Sequence, residues 1–259
     1  MTAIHPSAVV HPGAELDSSV QVGPWTVIGP HVKVGPGTTI GSFVVLDGHL
    51  TIGQENRISH HVVIGTAPQD LRYKDEPTRL EMGDRNVIRE FVTIHRGTPH
   101  GGGLTQILSD IYVMAYSHIA HDNQIGNHVV MANNVHLGGH VLVGDFVNIS
   151  GCSAVHQFVR IGPYAFVGGG SMVSTDVPPF CRASGNHARL QGLNAVGLSR
   201  HGFSKEDLQA LKRAYRLAFS SGLLAQEAAD RIDTELADRC PHTASFAQFL
   251  RDSTRGITR

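Results

Sequence analysis

The chain has little cysteine, no long apolar run and no excess of either charge. Cys152, Cys181 and Cys240 are widely spaced and form no Cys-x-x-Cys pair. That argues against a disulfide framework or a thiolate metal centre and leaves buried structural thiols as the expectation. The 21 basic and 22 acidic side chains nearly cancel over 259 residues, so no global field points to a nucleic-acid partner or a membrane surface. No window approaches the ~18 apolar residues of a spanning helix. The opening MTAIHPSAVVHPGAE also lacks a basic segment followed by a continuous apolar stretch. A cytoplasmic protein without membrane insertion is expected, long enough to bury a full core as one large domain or two smaller ones.

What the sequence has in abundance is a period of six. Val22, Ile28, Val34, Ile40, Leu46, Ile52, Ile58 and Ile64 fall six apart. The pattern resumes at Met82, Ile88 and Ile94, then runs unbroken from Ile107 and Val113 through Val167 and Val173. Six residues turn an α-helix by about 600°, so such positions would wander over its surface. Short strands joined by corners keep them on one side, and this is the signature of a parallel β-helix. The hexads resemble those of the hexapeptide-repeat acyltransferases, which implies a triangular prism with 18-residue coils and a left-handed wind, against the usual crossover rule. About nine coils would give a prism on the order of 45 Å long, at ~4.8 Å per rung.

The expected class is all-β followed by α: a left-handed parallel β-helix over 1–190 and a helical domain over 191–259. Two polar insertions, 66–79 and 95–106, interrupt the period, and a solenoid pushes such insertions out as loops on one face. Gly101, Gly102 and Gly103 match neither a P-loop nor a dinucleotide fingerprint, so flexibility is their expected role. Beyond Leu198, Ser204 and Asp207 form a capping-box pattern ahead of the stripe Leu208, Leu211, Tyr215 and Ala218. A second stripe, Leu224, Ala228, Ile232 and Leu236, and the segment TASFAQFLRD predict two further helices. Lys205, Lys212, Arg213 and Arg216 along the first of these helices read as a solvated face.

The chemistry concentrates in AYSHIAHDNQIGNH, residues 115–128. With an 18-residue coil, His118 stacks under His136 and Asp122 under His140, while His121 shares a column with Gly139 and Gln157. His156 follows His140 by nearly one coil, so the patch spans roughly 10 Å of the prism axis. An imidazole titrating near pH ~6.5 is a ready general base, and a neighbouring carboxylate can orient it and stabilise its charged form. A glycine one rung away leaves a backbone N–H open to a developing oxyanion. His128 shares no column with the others and reads as surface. Three imidazoles from neighbouring coils would alternatively suit zinc with an open fourth position, as in the γ-class carbonic anhydrases.

A longer set of motifs narrows the family. DEPTRLEMGDRNVIREFVTIHRGT, GGGLT, SHIAHD, AVHQFVRIG, DVPPF, GNHA, RHGFS and the terminal STRGITR resemble, in order and over the whole chain, the UDP-N-acetylglucosamine O-acyltransferases that open lipid A biosynthesis. The related N-acyltransferases carry an additional uridine-binding domain ahead of the hexads. The resemblance implies transfer of a 3-hydroxyacyl group from the phosphopantetheine arm of acyl carrier protein to UDP-N-acetylglucosamine, in a homotrimer with sites between subunits. It implies no bound cofactor, no metal and no acyl-enzyme. It assigns His121 as general base, Asp122 as its orienting partner and Gly139 as oxyanion donor. His118, His140, His156 and Gln157 would position sugar and acyl chain. Asp70, His187, Asn194 and Arg200 would contact the nucleotide sugar or the phosphopantetheine arm. Arg72 stands where these enzymes commonly have Lys, Val196 where a carboxylate is expected, and His201 where a basic residue is expected. Gly169 falls at the position that measures acyl length, and its missing side chain implies a longer chain.

Overall fold

A computed structural model describes residues 3–238 and 240–259. The hexads form a left-handed parallel β-helix whose strands, two to four residues long, stack into three sheets of 11, 9 and 8 strands, the first of these counting the two strands of a closing hairpin. The nine-stranded side supplies the nine expected rungs. Every hexad aliphatic from Val22 to Val173 points inward and is at most 4 % exposed. Burial of one such side chain stabilises the fold by about 1.5–3 kcal/mol, and the prism repeats that contribution at each rung.

A second buried position lies two residues before each aliphatic, and the sequence reading did not isolate it. Val44, Val92, Val129 and Val147 fill it with hydrocarbon. Thr26, Asn86 and Ser117 fill it with polar groups that donate to the backbone, to Gly41 O at 2.8 Å, Leu108 O at 3.0 Å and Ala132 O at 3.0 Å. Those bonds offset the cost of burying a polar side chain.

Each coil turns at three corners. The first leads from the 11-stranded to the nine-stranded side, the second from the nine- to the eight-stranded side, and the third back again. Non-glycine residues at all three take left-handed φ, including Tyr116 at +62°, Asp122 at +59° and His128 at +56°. Positive φ is therefore how this prism turns, and by itself it marks no site. Both insertions replace the second corner. One runs between strands Val63–Thr66 and Arg79–Met82, the other between Thr93–His95 and Leu104–Ile107.

After the last coil an antiparallel hairpin, Cys181–Ser184 with Arg189–Leu193, leads into four helices: α1 (Ala195–Arg200), α2 (Lys205–Phe219), α3 (Ala225–Leu236) and α4 (His242–Arg251). The capping box at Ser204 forms as expected. The hairpin and the six-residue α1 are additional, since both are too short for a helical period to announce them. Leu198, Leu211, Ile232, Phe246 and Leu250 pack with Phe180 and Cys181 into a second core that closes the end of the prism. Cys181 and Cys240 are buried, but Cys152 lies exposed at the first corner, which corrects the expectation for that thiol. Among the described residues no helix is long and apolar enough to cross a membrane.

Candidate active site

Parallel stacking carries the second corner from coil to coil, and it is here that the imidazoles gather. His118 pairs in register with His136, and His136 with Ala154. The next turn brings His121 and Asp122 together, with His121 Nδ1 2.8 Å from Asp122 Oδ2. A carboxylate only accepts, so Nδ1 carries the proton and Nε2 is left with its lone pair. His140, one rung on, meets the His121 ring edge-on at 5.1 Å and stacks on Phe158 at 4.4 Å. Gly139 lies beneath the His121 ring, where a Cβ would fall 2.5 Å from Cε1. Its N–H makes no hydrogen bond among the described residues. Gln157, in the same column, is exposed.

Asp122 is held by the second insertion. Thr98 N donates to Oδ1 at 2.8 Å, and Thr98 Oγ1 donates to Oδ2 at 2.6 Å. Burial works to raise the Asp122 pKa, but the hydrogen bonds from His121 and Thr98 outweigh it and hold the carboxyl below its usual range. Gly101 is the reason the insertion can come so close, because a Cβ there would lie 2.0 Å from Asp122 Cγ. The expectation of a flexible glycine stretch is thus corrected. Gly101 permits close approach, and Gly102 and Gly103 turn the chain at φ +93° and +76°.

The first insertion reaches the same corner. Asp70 accepts a two-pronged bond from Arg72, Nε at 3.1 Å and Nη2 at 2.7 Å, which holds its carboxyl well below the usual range. The charges of Arg72 and Asp70 both act on His140, so the pair lies within electrostatic reach of the imidazoles. Arg96 anchors the loop through Tyr73 Oη at 3.0 Å and Gly65 O at 2.8 Å.

His118 donates or accepts at Thr93 Oγ1, 2.7 Å away, and burial pushes its pKa down to about 4. His95 lies edge-on to it at 4.9 Å, is 6 % exposed and leaves Nδ1 without a partner. Burial lowers His95 and His140 as well. These groups bear on the zinc alternative. The three groups whose ligand atoms approach within 4.8 Å are His121, Asp122 and His140. That is two imidazoles and a carboxylate already occupied by Thr98 and His121, with the His118 Nδ1 committed to Thr93. Among the described residues the three-imidazole set expected for zinc is not gathered.

Other predicted residues stand apart. His156 opens the second-corner turn just before Gln157, and His187 follows Asn186, which bridges to the nine-stranded side at Met172; both are exposed. Gly169 is at the first corner, where a Cβ would meet only Gly151 O at 3.4 Å and Ser150 Cβ at 3.9 Å. Asn194 and Arg200 flank the third corner. They line a cavity of about 540 Å³ with His128, Phe146, Val196 and His201. His128 is exposed, as expected of a surface residue, and stacks on Phe146 at 4.6 Å beside this cavity. Asn194 also caps α1, accepting from Gly197 N at 3.2 Å and donating to Tyr164 O at 3.0 Å. His201 meets the Phe146 and Tyr164 rings edge-on. A single chain therefore brings His118, His121, Asp122, Gly139, His140, Asp70 and Arg72 together, but not Asn194 or Arg200. Thr98, Gly101 and His95 were missed, although the phase of the insertions, both replacing the second corner, could have pointed to them.

A solenoid with a carboxylate-oriented imidazole over a free backbone N–H defines a transferase of the hexapeptide-repeat class. Residues 176–258 match the family model described as Udp N-acetylglucosamine O-acyltransferase, domain 2, and residues 1–42 match that of the bacterial transferase hexapeptide. Acyl-[acyl-carrier-protein]--UDP-N-acetylglucosamine O-acyltransferases of Alkalilimnicola ehrlichii and Paraburkholderia phymatum are 51 % and 48 % identical over 100 % of both chains. The solved structure of LpxA from Acinetobacter baumannii superposes with a TM-score of 0.98 at 44 % identity, covering 99 % of this chain and 100 % of that one. The chain belongs to the acyl-[acyl-carrier-protein]--UDP-N-acetylglucosamine O-acyltransferase family.

Proposed function

We propose that this protein transfers a 3-hydroxyacyl group from acyl carrier protein to the 3-hydroxyl of UDP-N-acetylglucosamine, the reaction that opens lipid A biosynthesis. The observation that carries the reading is the His121–Asp122 pair with its unprotonated Nε2, set above the Gly139 N–H in a chain matched over its full length by these enzymes. Nε2 removes the proton from the sugar hydroxyl as its oxygen attacks the thioester carbonyl. The Gly139 N–H receives the oxyanion of the tetrahedral intermediate. Collapse expels the phosphopantetheine sulfur, and His121 returns the proton to it, so the enzyme is regenerated without an acyl-enzyme. A base so placed contributes about 10²–10⁴-fold in rate. The thioester is already activated, and neither a bound cofactor nor a metal takes part.

His118, His140, His156 and Gln157 line the path of sugar and acyl chain, while Asp70, Arg72 and His187 meet the nucleotide sugar or the phosphopantetheine arm. Met172, beside Gly169, lies three rungs above His118, about 14 Å along the prism at ~4.8 Å per rung. The open surface at Gly169 therefore accommodates a longer acyl chain. Asn194 and Arg200, at the third corner, serve the site of a neighbouring copy, so the working unit is a homotrimer. A cytoplasmic location fits a soluble carrier and a soluble nucleotide sugar.

One assay tests the reading: purified protein with a series of 3-hydroxyacyl carrier proteins against the 3-hydroxyl and 3-amino acceptor sugars. Turnover with the 3-hydroxyl sugar and longer chains is expected. Turnover confined to the amino sugar ends the assignment, and a preference for short chains ends the reading of Gly169. Mixing inactive His121→Ala and Arg200→Ala subunits tests the shared site, since mixed trimers regain activity only if two chains build it.

A further inference from the structure

The segment Ser253–Thr258 returns from α4 to the last coil. It is pinned there by Asp176, which is fully buried. Ser253 Oγ donates to Asp176 Oδ2 at 2.8 Å, Asp176 N to Gly256 O at 2.9 Å, and Thr258 N to Asp176 O at 2.8 Å. Thr258 and Thr175 join their hydroxyls at 2.9 Å. Fastened in this way, the strap holds Arg255 across the end of the nine-stranded side. Arg255 Nε donates to Ser174 O at 2.9 Å, and its Nη2 lies 2.7 Å from His156 Nδ1.

The last contact has a chemical consequence. Guanidinium is always protonated and only donates. His156 Nδ1 must therefore accept, although the Gln157 carbonyl, 3.1 Å away, would suit the opposite tautomer. The shorter contact with the permanent donor decides between them. We infer that Arg255 is a positioning residue for the transfer reaction: bonded to Nδ1, it fixes the His156 tautomer that carries its proton on Nε2, the nitrogen left for substrate. The contact thereby brings a residue 99 positions later in the chain onto His156, through Arg255 itself rather than through the remaining bonds of the strap. This inference rests on the assignment of His156 to the substrate path.

Nitrogen-15 NMR of the histidine-labelled protein reads the tautomer directly, and steady-state kinetics read its effect. In the unaltered protein His156 Nδ1 is expected to be the unprotonated nitrogen. Arg255→Met should abolish that fixed tautomer and lower kcat/KM about tenfold, the scale of one hydrogen bond to a charged group. Arg255→Lys, which keeps a donor, should recover part of both. Ser253→Ala breaks the strap elsewhere. It should lower Tm while leaving the tautomer and kcat/KM as they were.

A protonated Nδ1 in the unaltered protein overturns the inference. So does an Arg255→Met variant with unchanged tautomer and kinetics, or a Ser253→Ala variant that reproduces the Arg255→Met losses. His156→Ala separates the underlying assignment: unchanged kinetics there remove His156 from the substrate path, whatever the tautomer proves to be.

Discussion

The first and second corners of the prism share one backbone and differ in chemistry. At the first, Phe43, His61, Phe91 and Tyr116 stack in succession at 4.9–5.0 Å. At the second, His140 stacks on Phe158 at 4.4 Å with the same left-handed turn. A histidine within the aromatic ladder remains a surface ring. At the second corner two inserted segments fold back over the turn, bury Asp122 and give it Thr98 as a donor. On the proposed reading, reactivity in this solenoid comes from what interrupts the repeat, because the donors that hold Asp122 belong to an insertion.

The largest test of that contrast is His121→Ala. It should lower kcat by about 10²–10⁴-fold, with circular dichroism and oligomeric state unchanged, whereas His61→Ala in the ladder should leave kcat within about twofold. Near-normal turnover by His121→Ala would remove the second corner's special standing. Gly101→Ala follows. Its added methyl must displace either the insertion or Asp122, and a shift on the order of 1 Å in the catalytic pair costs about 10²-fold. An active Gly101→Ala enzyme would mean that the insertion does not set the pair.

Thr98→Val keeps the backbone donor but removes the hydroxyl bond to Asp122. A drop in kcat of about tenfold is expected. The carboxylate loses a hydrogen bond that lowers its pKa, so the acid limb of the pH–rate profile should move to higher pH. A limb that stays in place would show that the hydroxyl contributes little.

Acid unfolding gives a further comparison. The folded His118 titrates at about 4, while an unfolded imidazole titrates near 6.5. Between these values the unfolded chain binds more protons, so stability is fully present above about pH 6.5 and falls as the pH approaches 4. The loss amounts to up to about 3 kcal/mol for this group. Denaturant titrations from pH 7 to pH 4 should show a shallower decline in His118→Gln. The smallest effect is expected from Phe43→Leu, about 1 kcal/mol of stability for one stacked pair and no change in kcat.

Most of the prism was legible because its signal repeats. Val22 to Val173 reported the period of six, the resemblance supplied three sides to a coil, and the resulting 18-residue coil placed Gly139 and Gln157 in the column of His121 and His140 in that of Asp122. The polar second position, Thr26, Asn86 and Ser117, was not legible, since any small hydrogen-bonding side chain satisfies it. Thr98 and Gly101 lie in a segment without period, where composition pointed only to a loop. Asn194 and Arg200 are assigned to the nucleotide sugar or the phosphopantetheine arm by resemblance, and only the fold places them at a different corner from His121.

Sequence by itself determined the period of six, and through it the prism, the columns and the crowding of imidazoles at one turn, because stacking converts spacing into position. Only the tertiary structure decided which turn becomes a site. A carboxylate keeps its charge in a buried place only when donors reach it, and those donors come from Thr98, 24 residues before Asp122, by a path that no periodicity describes.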